Sequence, residues 1–285
     1  MRLKINQNEV QKWVGIIPMA VAFAFAFASG SAQEQPPAPT TSTVAPAPPV
    51  LENTGKPMAA PFQCTAEDIQ LAGLTCSEED PCPVYLELNA VASSGIRIFS
   101  AGNIHSGTAT LFSILLGSDD NGHTWREAHA RMRSATLDYI QFADADTGWT
   151  SGLSPYPLPQ DPFLLQTTDG GKTWRQHAIF GESRIGAIQQ FFFEDKKNGA
   201  LIIDRGPGSE GDRYELYESP DSGDSWGIKE TSAKPLRLKR APPAGSEWRV
   251  RADAPTKAFH LEHREGERWV SMAAFLVSVG ACKPE

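Results

Sequence analysis

Short apolar runs alternate with clusters of Gly, Asp, Asn and Ser over most of the chain after residue 88. The runs at 111–116, 163–165 and 214–217 each lead into such a polar cluster. Short apolar runs bounded by turn residues are typical of β-strands, because strands are short and their connections need residues that tolerate tight turns. The pattern therefore predicts an all-β domain of short strands and hairpins.

The polar clusters after these runs share one eight-residue pattern, Ser/Thr-x-Asp-x-Gly-x-Thr/Ser-Trp. Its copies occupy residues 118–125, 167–174 and 219–226, so they recur about every 50 residues, a period typical of β-blade repeats. A fourth segment, 262–269, keeps the Gly-to-Trp spacing but has Arg264 where the Asp belongs. We interpret it as a decayed repeat, and we expect its turn to be held less firmly.

A second recurrent element supports the same period. Residues 142–148 and 193–199 both begin with Phe and end with Gly, and each precedes its copy of the motif by a similar distance. Each segment is typical of a strand, a polar turn and a second strand. One repeat would then hold roughly four short strands, which is the content of one propeller blade.

Each residue type in the motif has a structural role in a turn between two strands. The Asp can accept hydrogen bonds from backbone N–H groups of its own turn, and the Gly can adopt a positive φ without a Cβ clash. The Trp starts the next strand and offers a large apolar surface to bury. The motif therefore needs no ligand, and we assign structural roles to Asp120, Gly122, Trp125, Asp169, Gly171, Trp174, Asp221, Gly223 and Trp226.

The motif resembles the Asp-box, also called the bacterial neuraminidase repeat, and three near-complete copies in register make the match specific. In that family the Asp-box lies on a hairpin at the blade periphery, away from catalytic centres. The chain after residue 61 has room for about four such units, fewer than the six or more blades of familiar Asp-box enzymes. The resemblance implies a small β-propeller-like domain of about four blades, or an incomplete ring.

Residues 142–149 followed by 163–174 are also similar to the photosystem II stability/assembly factor-like family of exported Asp-box propellers. The similarity covers roughly residues 88–270, and the third and fourth units depart from it. Gly199 is followed by Ala200 instead of Trp, and the Asp is lost at Arg264. What this resemblance implies is a non-enzymatic propeller that binds a protein or another ligand.

The N-terminal region is typical of an exported protein. Residues 1–32 have the basic start, the apolar stretch and the small residues of a cleavable signal peptide, with an uncleaved anchor as the alternative. Residues 33–61 are rich in Pro, Ala and Thr and are expected to form a disordered linker. A cysteine-containing cap at 62–87 and the repeat domain at 88–285 complete the predicted organisation. We therefore expect a periplasmic or secreted protein with no membrane span after cleavage.

The four cysteines suggest two disulfide bonds, because even cysteine counts in exported chains usually indicate paired thiols. Three pairings are possible, and the sequence does not choose among them. A bond between the last cysteine and the 64–82 segment would tie the two chain ends together. A zinc site is the less favoured alternative, because no suitably spaced His lies beside the N-terminal trio. The residues are Cys64, Cys76, Cys82 and Cys282.

Charge and motif content narrow the possible function classes. The net charge of −8 argues against a nucleic-acid partner. Basic residues concentrate in 228–285, which predicts either a patch for an acidic partner or ordinary solvated strand faces. No nucleophile elbow, phosphate-binding loop or dinucleotide fingerprint occurs. We predict no catalytic residue, no cofactor and no metal site; His260 and His263 would point to opposite faces of one strand.

We therefore expect an exported, non-enzymatic binding or assembly module that presents inter-blade loops to a protein or other ligand of the cell envelope. The alternative is a sialidase-like glycoside hydrolase or a glycan-binding protein. Sialidases resemble one another in an arginine triad and a Tyr–Glu pair, and the nearest candidates here are Arg97 and Tyr214-Glu215. Arginines clustered with Tyr and Glu near the centre would favour the enzyme.

Overall fold

A computed structural model describes residues 49–107, 109–154, 161–182, 184–239 and 247–283. The described residues fall in one compact unit, Pro46–Glu285. The predicted signal peptide at 1–32 and most of the predicted linker, through residue 48, lie outside the described residues. No helix of the described part has the length and apolar character needed to cross a membrane.

The described chain is almost entirely β-structure, which confirms the all-β prediction. One short helix, α1 (Ala66–Leu71), is closed by a capping box between Thr65 and Asp68. The strands are β1 (Leu51–Glu52), β2 (Cys82–Ser94), β3 (Arg97–Ser106), β4 (Ala109–Ser118), β5 (Thr124–Glu127), β6 (Thr136–Phe142), β7 (Gly148–Ser154), β8 (Asp161–Thr167), β9 (Arg175–Ala178), β10 (Ala187–Phe193), β11 (Gly199–Asp204), β12 (Tyr214–Ser219), β13 (Gly227–Ser232), β14 (Trp248–Asp253), β15 (Ala258–Glu265), β16 (Arg268–Leu276) and β17 (Ser278–Cys282).

These strands form four antiparallel sheets within the described residues. The first has the order β1-β5-β4-β3-β2-β17, the second is the meander β6 to β9, the third is the meander β10 to β13, and the fourth is β14-β15-β16. The second and third sheets thus have the four strands that the repeat predicted. In the first three sheets a copy of the eight-residue motif, called the Asp-box below for its resemblance to that repeat, joins the third and fourth strands of a meander. In the fourth sheet the decayed copy joins β15 to β16.

Three hydrophobic cores lie between neighbouring sheets. The first core joins the first and fourth sheets around Trp125 and Phe275, whose ring centroids are 5.3 Å apart. The second joins the first and second sheets, and the third joins the second and third sheets around Trp149. The sheets therefore pack in the order fourth, first, second, third. Among the described strands, none of the third sheet packs extensively against one of the fourth.

The segment after residue 49 is part of the folded unit, although the sequence placed residues up to 61 in a disordered linker. Leu51 pairs with Trp125 across β1 and β5, and Met58 forms a parallel bridge with Phe275. Met58 and Ala60 are buried in the first core. Residues 51–61, which the sequence assigned to the linker, therefore belong to the folded unit, because a few apolar side chains scattered among prolines are sufficient to anchor this segment.

Two disulfide bonds close the N-terminal cap, as the sequence predicted. Cys64 bonds to Cys282, and Cys76 bonds to Cys82. Strand β17 also pairs with β2, so that Cys282 lies opposite Cys82. Because β17 follows directly on β16 of the fourth sheet, the C-terminal strand joins the fourth sheet to the first. The predicted cap at 62–87 thus contains α1 and the start of the longest strand of the first sheet.

Candidate functional site

The three Asp-box turns close with the same set of hydrogen bonds. In the second turn Thr173 donates to Asp169 twice, from its backbone N–H (2.9 Å) and its hydroxyl (2.6 Å). The Thr167 hydroxyl donates to Asp169 (2.8 Å) and accepts from the Gly171 N–H (2.7 Å), and Trp174 Nε1 donates to the Gly171 carbonyl (3.2 Å). The same bonds recur in the first and third turns.

These donors favour the charged form of each aspartate. The hydroxyl and backbone N–H of Thr124 lower the pKa of Asp120 to about 2. At Asp169 burial acts in the opposite direction, but the combined donors of Thr173 and Thr167 outweigh it and the pKa again falls to about 2. The pKa of Asp221 is also lowered, chiefly by Ser225. The carboxylates are therefore engaged inside their own turns.

Each Asp-box turn rests on the preceding sheet. Gly171 has φ +86°, and a Cβ added there would lie 2.1 Å from the ring of Phe99 on the first sheet. Gly223 faces Leu164 of the second sheet, and Gly122 faces the Met272 carbonyl of the fourth. At Gly171 only glycine combines a positive φ with such a close approach, whereas the contacts at Gly122 and Gly223 are at ordinary van der Waals distances. The turns thus fasten one sheet to the next, and their polar atoms are not arranged for a ligand.

The fourth hairpin differs from the other three. A Cβ added at Gly266 would meet nothing within 4 Å, so this turn does not rest on another described sheet. Trp269 is half-buried, and the Arg249 guanidinium lies 4.3 Å from its ring centroid. Arg249 and Arg251 both pair with the buried carboxylate of Glu262. The basic residues of this sheet that the sequence analysis considered for an acidic partner are therefore partly neutralised within it.

Arg97, the arginine that the sequence placed nearest to a sialidase position, joins two sheets. Its guanidinium donates to the carbonyls of Gly170 (2.7 Å) and Asp169 (3.2 Å) in the second Asp-box turn. It also donates to the carbonyl of Ala145 (2.9 Å). All three of these partners are main-chain carbonyls of the second sheet's turns. Arg97 therefore links the first sheet to the second.

Glu215, named above as a sialidase-type candidate, lies in a cluster on the third sheet, at the end opposite its Asp-box, with partners that the sequence did not indicate. The hydroxyl of Tyr217 donates to Glu215 (2.6 Å), and Arg184 donates to both Tyr217 (2.9 Å) and Glu215 (3.0 Å). Arg205 Nε lies 4.0 Å from the same carboxylate. Glu215 and Tyr217 share a strand face at i, i+2, which the sequence could have suggested, whereas both arginines come from outside this strand.

This cluster is closed to solvent at its centre. Tyr217 is 3% exposed and Glu215 is 7% exposed. Burial, reinforced by the hydrogen bond to Glu215, raises the pKa of Tyr217 to about 12, so the phenol is protonated at neutral pH. The Arg184 guanidinium is the more open part, and it stacks over Phe180 at 5.1 Å. The arrangement can hold an ion pair firmly, and the Tyr217 hydroxyl would need to be uncovered before it could react.

A groove of ≈ 680 Å³ lies on the other face of the third sheet, away from the second sheet. Its floor includes Phe192, Ala200 and Leu216, and the extended segment containing Leu236 and Leu238 forms a wall. The wall is tied to the sheet, because the backbone N–H of Leu238 donates to the side chain of Gln190 (3.1 Å). Charged residues surround this apolar floor, including the paired Lys229 and Glu218 (3.2 Å).

The position of this groove can be defined by the repeat itself. In each of the first three sheets the residue before the Asp-box Gly donates its N–H to the preceding strand turn, at the carbonyls of Ile96, Asp146 and Lys197. Counting three residues on from these carbonyls gives Phe99, Trp149 and Ala200 as equivalent positions. The third residue before each box gives Leu115, Leu164 and Leu216.

The equivalent positions differ in what covers them. Phe99 and Trp149 are 2% and 0% exposed, because the following sheet packs over each. Ala200 and Leu216 are half-buried and line the groove. The groove therefore lies on the face of the third sheet that corresponds to the packed faces of the first two. On those faces the first sheet packs against the second, and the second against the third.

Among the described residues, no group of three or more His, Cys, Asp or Glu side chains is placed to hold a metal ion. His260 lies beside Ser271 (3.0 Å), whereas His263 packs against Trp248 on the other face of the fourth sheet. The chain matches no protein-family model, and no curated protein is similar to it.

Proposed function

We propose that this chain is an exported Asp-box repeat protein of the small propeller type that acts as a binding or assembly module for a protein or other envelope ligand. Two disulfide bonds are typical of proteins in oxidising compartments. The Asp-box side chains are engaged inside their turns, so the binding surface lies elsewhere. The observation that carries the proposal is the open groove on the third sheet, which has an apolar floor and a charged rim.

The test is capture from an envelope extract by the immobilised, disulfide-bonded protein. We expect a specific partner that is retained by the folded protein and lost when the disulfides are reduced and the protein is unfolded. The contradicting outcome is that folded and unfolded protein retain the same material, because a module that binds through a folded surface cannot behave in this way.

The second candidate is glycan binding or hydrolysis of the sialidase type. It is favoured by one observation, the meeting of Arg184 and Arg205 with Glu215 and Tyr217. A fluorogenic sialoside supplies the test. Turnover that is lost in both Tyr217→Phe and Glu215→Gln, while both variants remain folded, would replace the binding module with this enzyme.

A further inference from the structure

We infer that the groove of the third sheet binds an aromatic side chain carried on a glycine-containing turn of a different protein. This inference rests on the proposed binding function and names the chemistry of its partner. The first two sheets bury a ring on the equivalent face, and the third has Ala200 in place of that ring. The fourth hairpin of this chain does not fill the space.

The first two sheets bury an aromatic pair at this position. Phe99 of the first sheet stacks with Phe142 of the second at 5.3 Å and meets the edge of Trp174 at 5.8 Å. Trp149 of the second sheet stacks with Phe193 of the third at 3.6 Å, with their planes 1° apart. In both cases the acceptor sheet supplies one ring and the next sheet supplies its partners. Such pairs contribute beyond the area they bury.

The third sheet keeps the leucine of this face but lacks the ring. Leu216 corresponds to Leu115 and Leu164, which are both 1% exposed, whereas Ala200 stands where its siblings have Phe and Trp. The missing side chain leaves space at the centre of the groove, and Leu236 and Leu238 bound that space on one side. The shape therefore suits a ring that enters from outside.

The chain's own fourth hairpin does not supply that ring. Its Trp269 lies against Arg249, and it has no aspartate to fix the turn. A second copy of this chain is also a poor donor, because its three intact Asp-box turns each rest on a sheet of their own chain. The occupant is therefore a turn on another protein, with Trp or Phe beside a glycine.

The probe for this inference is a cyclised, fluorophore-labelled peptide that copies residues 163–178, which contain the second Asp-box and Trp174. Its binding to the full, disulfide-bonded chain is followed by fluorescence anisotropy. We expect saturable binding that weakens at least about tenfold when the peptide carries Trp174→Ala, since a buried aromatic anchor dominates such contacts.

Protein variants locate the binding. Ala200→Glu places a charge on the apolar floor of the groove, where an incoming ring would bury it, so we expect it to weaken probe binding at least about tenfold. Ala178→Glu on the exposed strand β9 is the matched control and should bind as the unmodified chain does. Leu216→Gln provides a second variant of the floor with the same expected loss, and thermal unfolding confirms that each variant is folded.

Three results would overturn the inference: no saturation up to about 1 mM probe, unchanged binding in a folded Ala200→Glu chain, or a concentration-dependent dimer that Ala200→Glu abolishes. The last result would assign the groove to a second copy. An envelope partner that Ala200→Glu still captures would overturn this inference alone and leave the proposed function standing. Failure of both the probe and the capture would overturn both.

Discussion

The second and fourth hairpins have the same Gly-to-Trp spacing, but they do different work. In the second, Asp169 collects donors from both ends of the turn, Gly171 rests on the first sheet, and Trp174 is buried. In the fourth, Arg264 replaces the aspartate, and Gly266 faces open space. The Gly and the Trp of the motif are thus insufficient by themselves to pack a hairpin against the neighbouring sheet.

In this fold the aspartate of the motif decides which hairpins pack against the preceding sheet. The aspartate fixes the turn, and the fixed turn places its glycine against the preceding sheet. Where the aspartate is lost, the sheet is held by other means. The fourth sheet continues into β17 and is secured by Cys64–Cys282, and the equivalent face of the third sheet is left as a groove.

Removing the tryptophans should give the largest difference between intact and decayed hairpins. Trp125 is 0% exposed and packs on Phe275, so Trp125→Ala should lower the free energy of unfolding by about 3–5 kcal/mol. Trp269→Ala should lower it by less than about 1 kcal/mol, because that ring is half-buried. Urea unfolding of both variants measures the difference, and equal losses would remove the distinction between the hairpins.

The disulfide that secures the fourth sheet comes next in size. Cys64–Cys282 spans 218 residues, whereas Cys76–Cys82 spans 6. Because cross-linking a longer loop restricts the unfolded chain more, Cys64→Ala with Cys282→Ala should cost about 2–5 kcal/mol, and Cys76→Ala with Cys82→Ala about 2 kcal/mol or less. Denaturant midpoints of the two double variants test this order, and the reverse order would contradict it.

The aspartate of an intact turn can be compared with its exposed neighbour. Asp120→Ala removes the acceptor of Thr124 and Ser118 and should destabilise the chain by about 1–3 kcal/mol. Asp119→Ala removes the same charge one residue earlier, where Asp119 forms a surface ion pair with Arg126, and should cost about 0.5 kcal/mol or less. Similar losses in both variants would show that charge, and not the turn, is what matters.

Acid should weaken the intact turns through their aspartates. The pKa of Asp120 and of Asp169 is lowered to about 2 from an ordinary value of 3.8. A carboxylate with a depressed folded pKa stabilises the fold above its unfolded pKa, and this stabilisation is lost as pH falls. Stability should therefore decrease between about pH 4 and pH 2, and the decrease should be smaller in Asp120→Ala. An unchanged slope in this variant would contradict the assignment.

Local features of this molecule could be predicted from sequence because their causes are local. The strand–turn–strand pattern and the internal bonding of the motif depend on residues within eight positions of one another. The two disulfides followed from an even cysteine count, but their pairing depends on how β17 meets β2. The anchoring of 51–61 was missed because composition does not reveal that Met58 lies beside Phe275.

The candidate sites were harder to predict for the same reason. The departure at Ala200 was visible in the sequence, yet its consequence depends on which sheet follows the third in space. The Arg184–Glu215–Tyr217 cluster joins a strand to a segment 31 residues earlier in the chain, and no local spacing signals such a meeting. Sequence therefore predicted the repeat, and the irregular places in the repeat became interpretable only in three dimensions.

Hydrogen exchange in the native protein, resolved to single amides, distinguishes hairpins fixed by an aspartate from the hairpin that lacks one. The N–H groups of Gly122, Gly171 and Gly223 are buried donors to a Ser or Thr hydroxyl, and local opening of a fastened turn is costly. We expect slow exchange at these three glycines and fast exchange at Gly266. Equal protection at all four would show that the aspartate does not decide which hairpins are fastened.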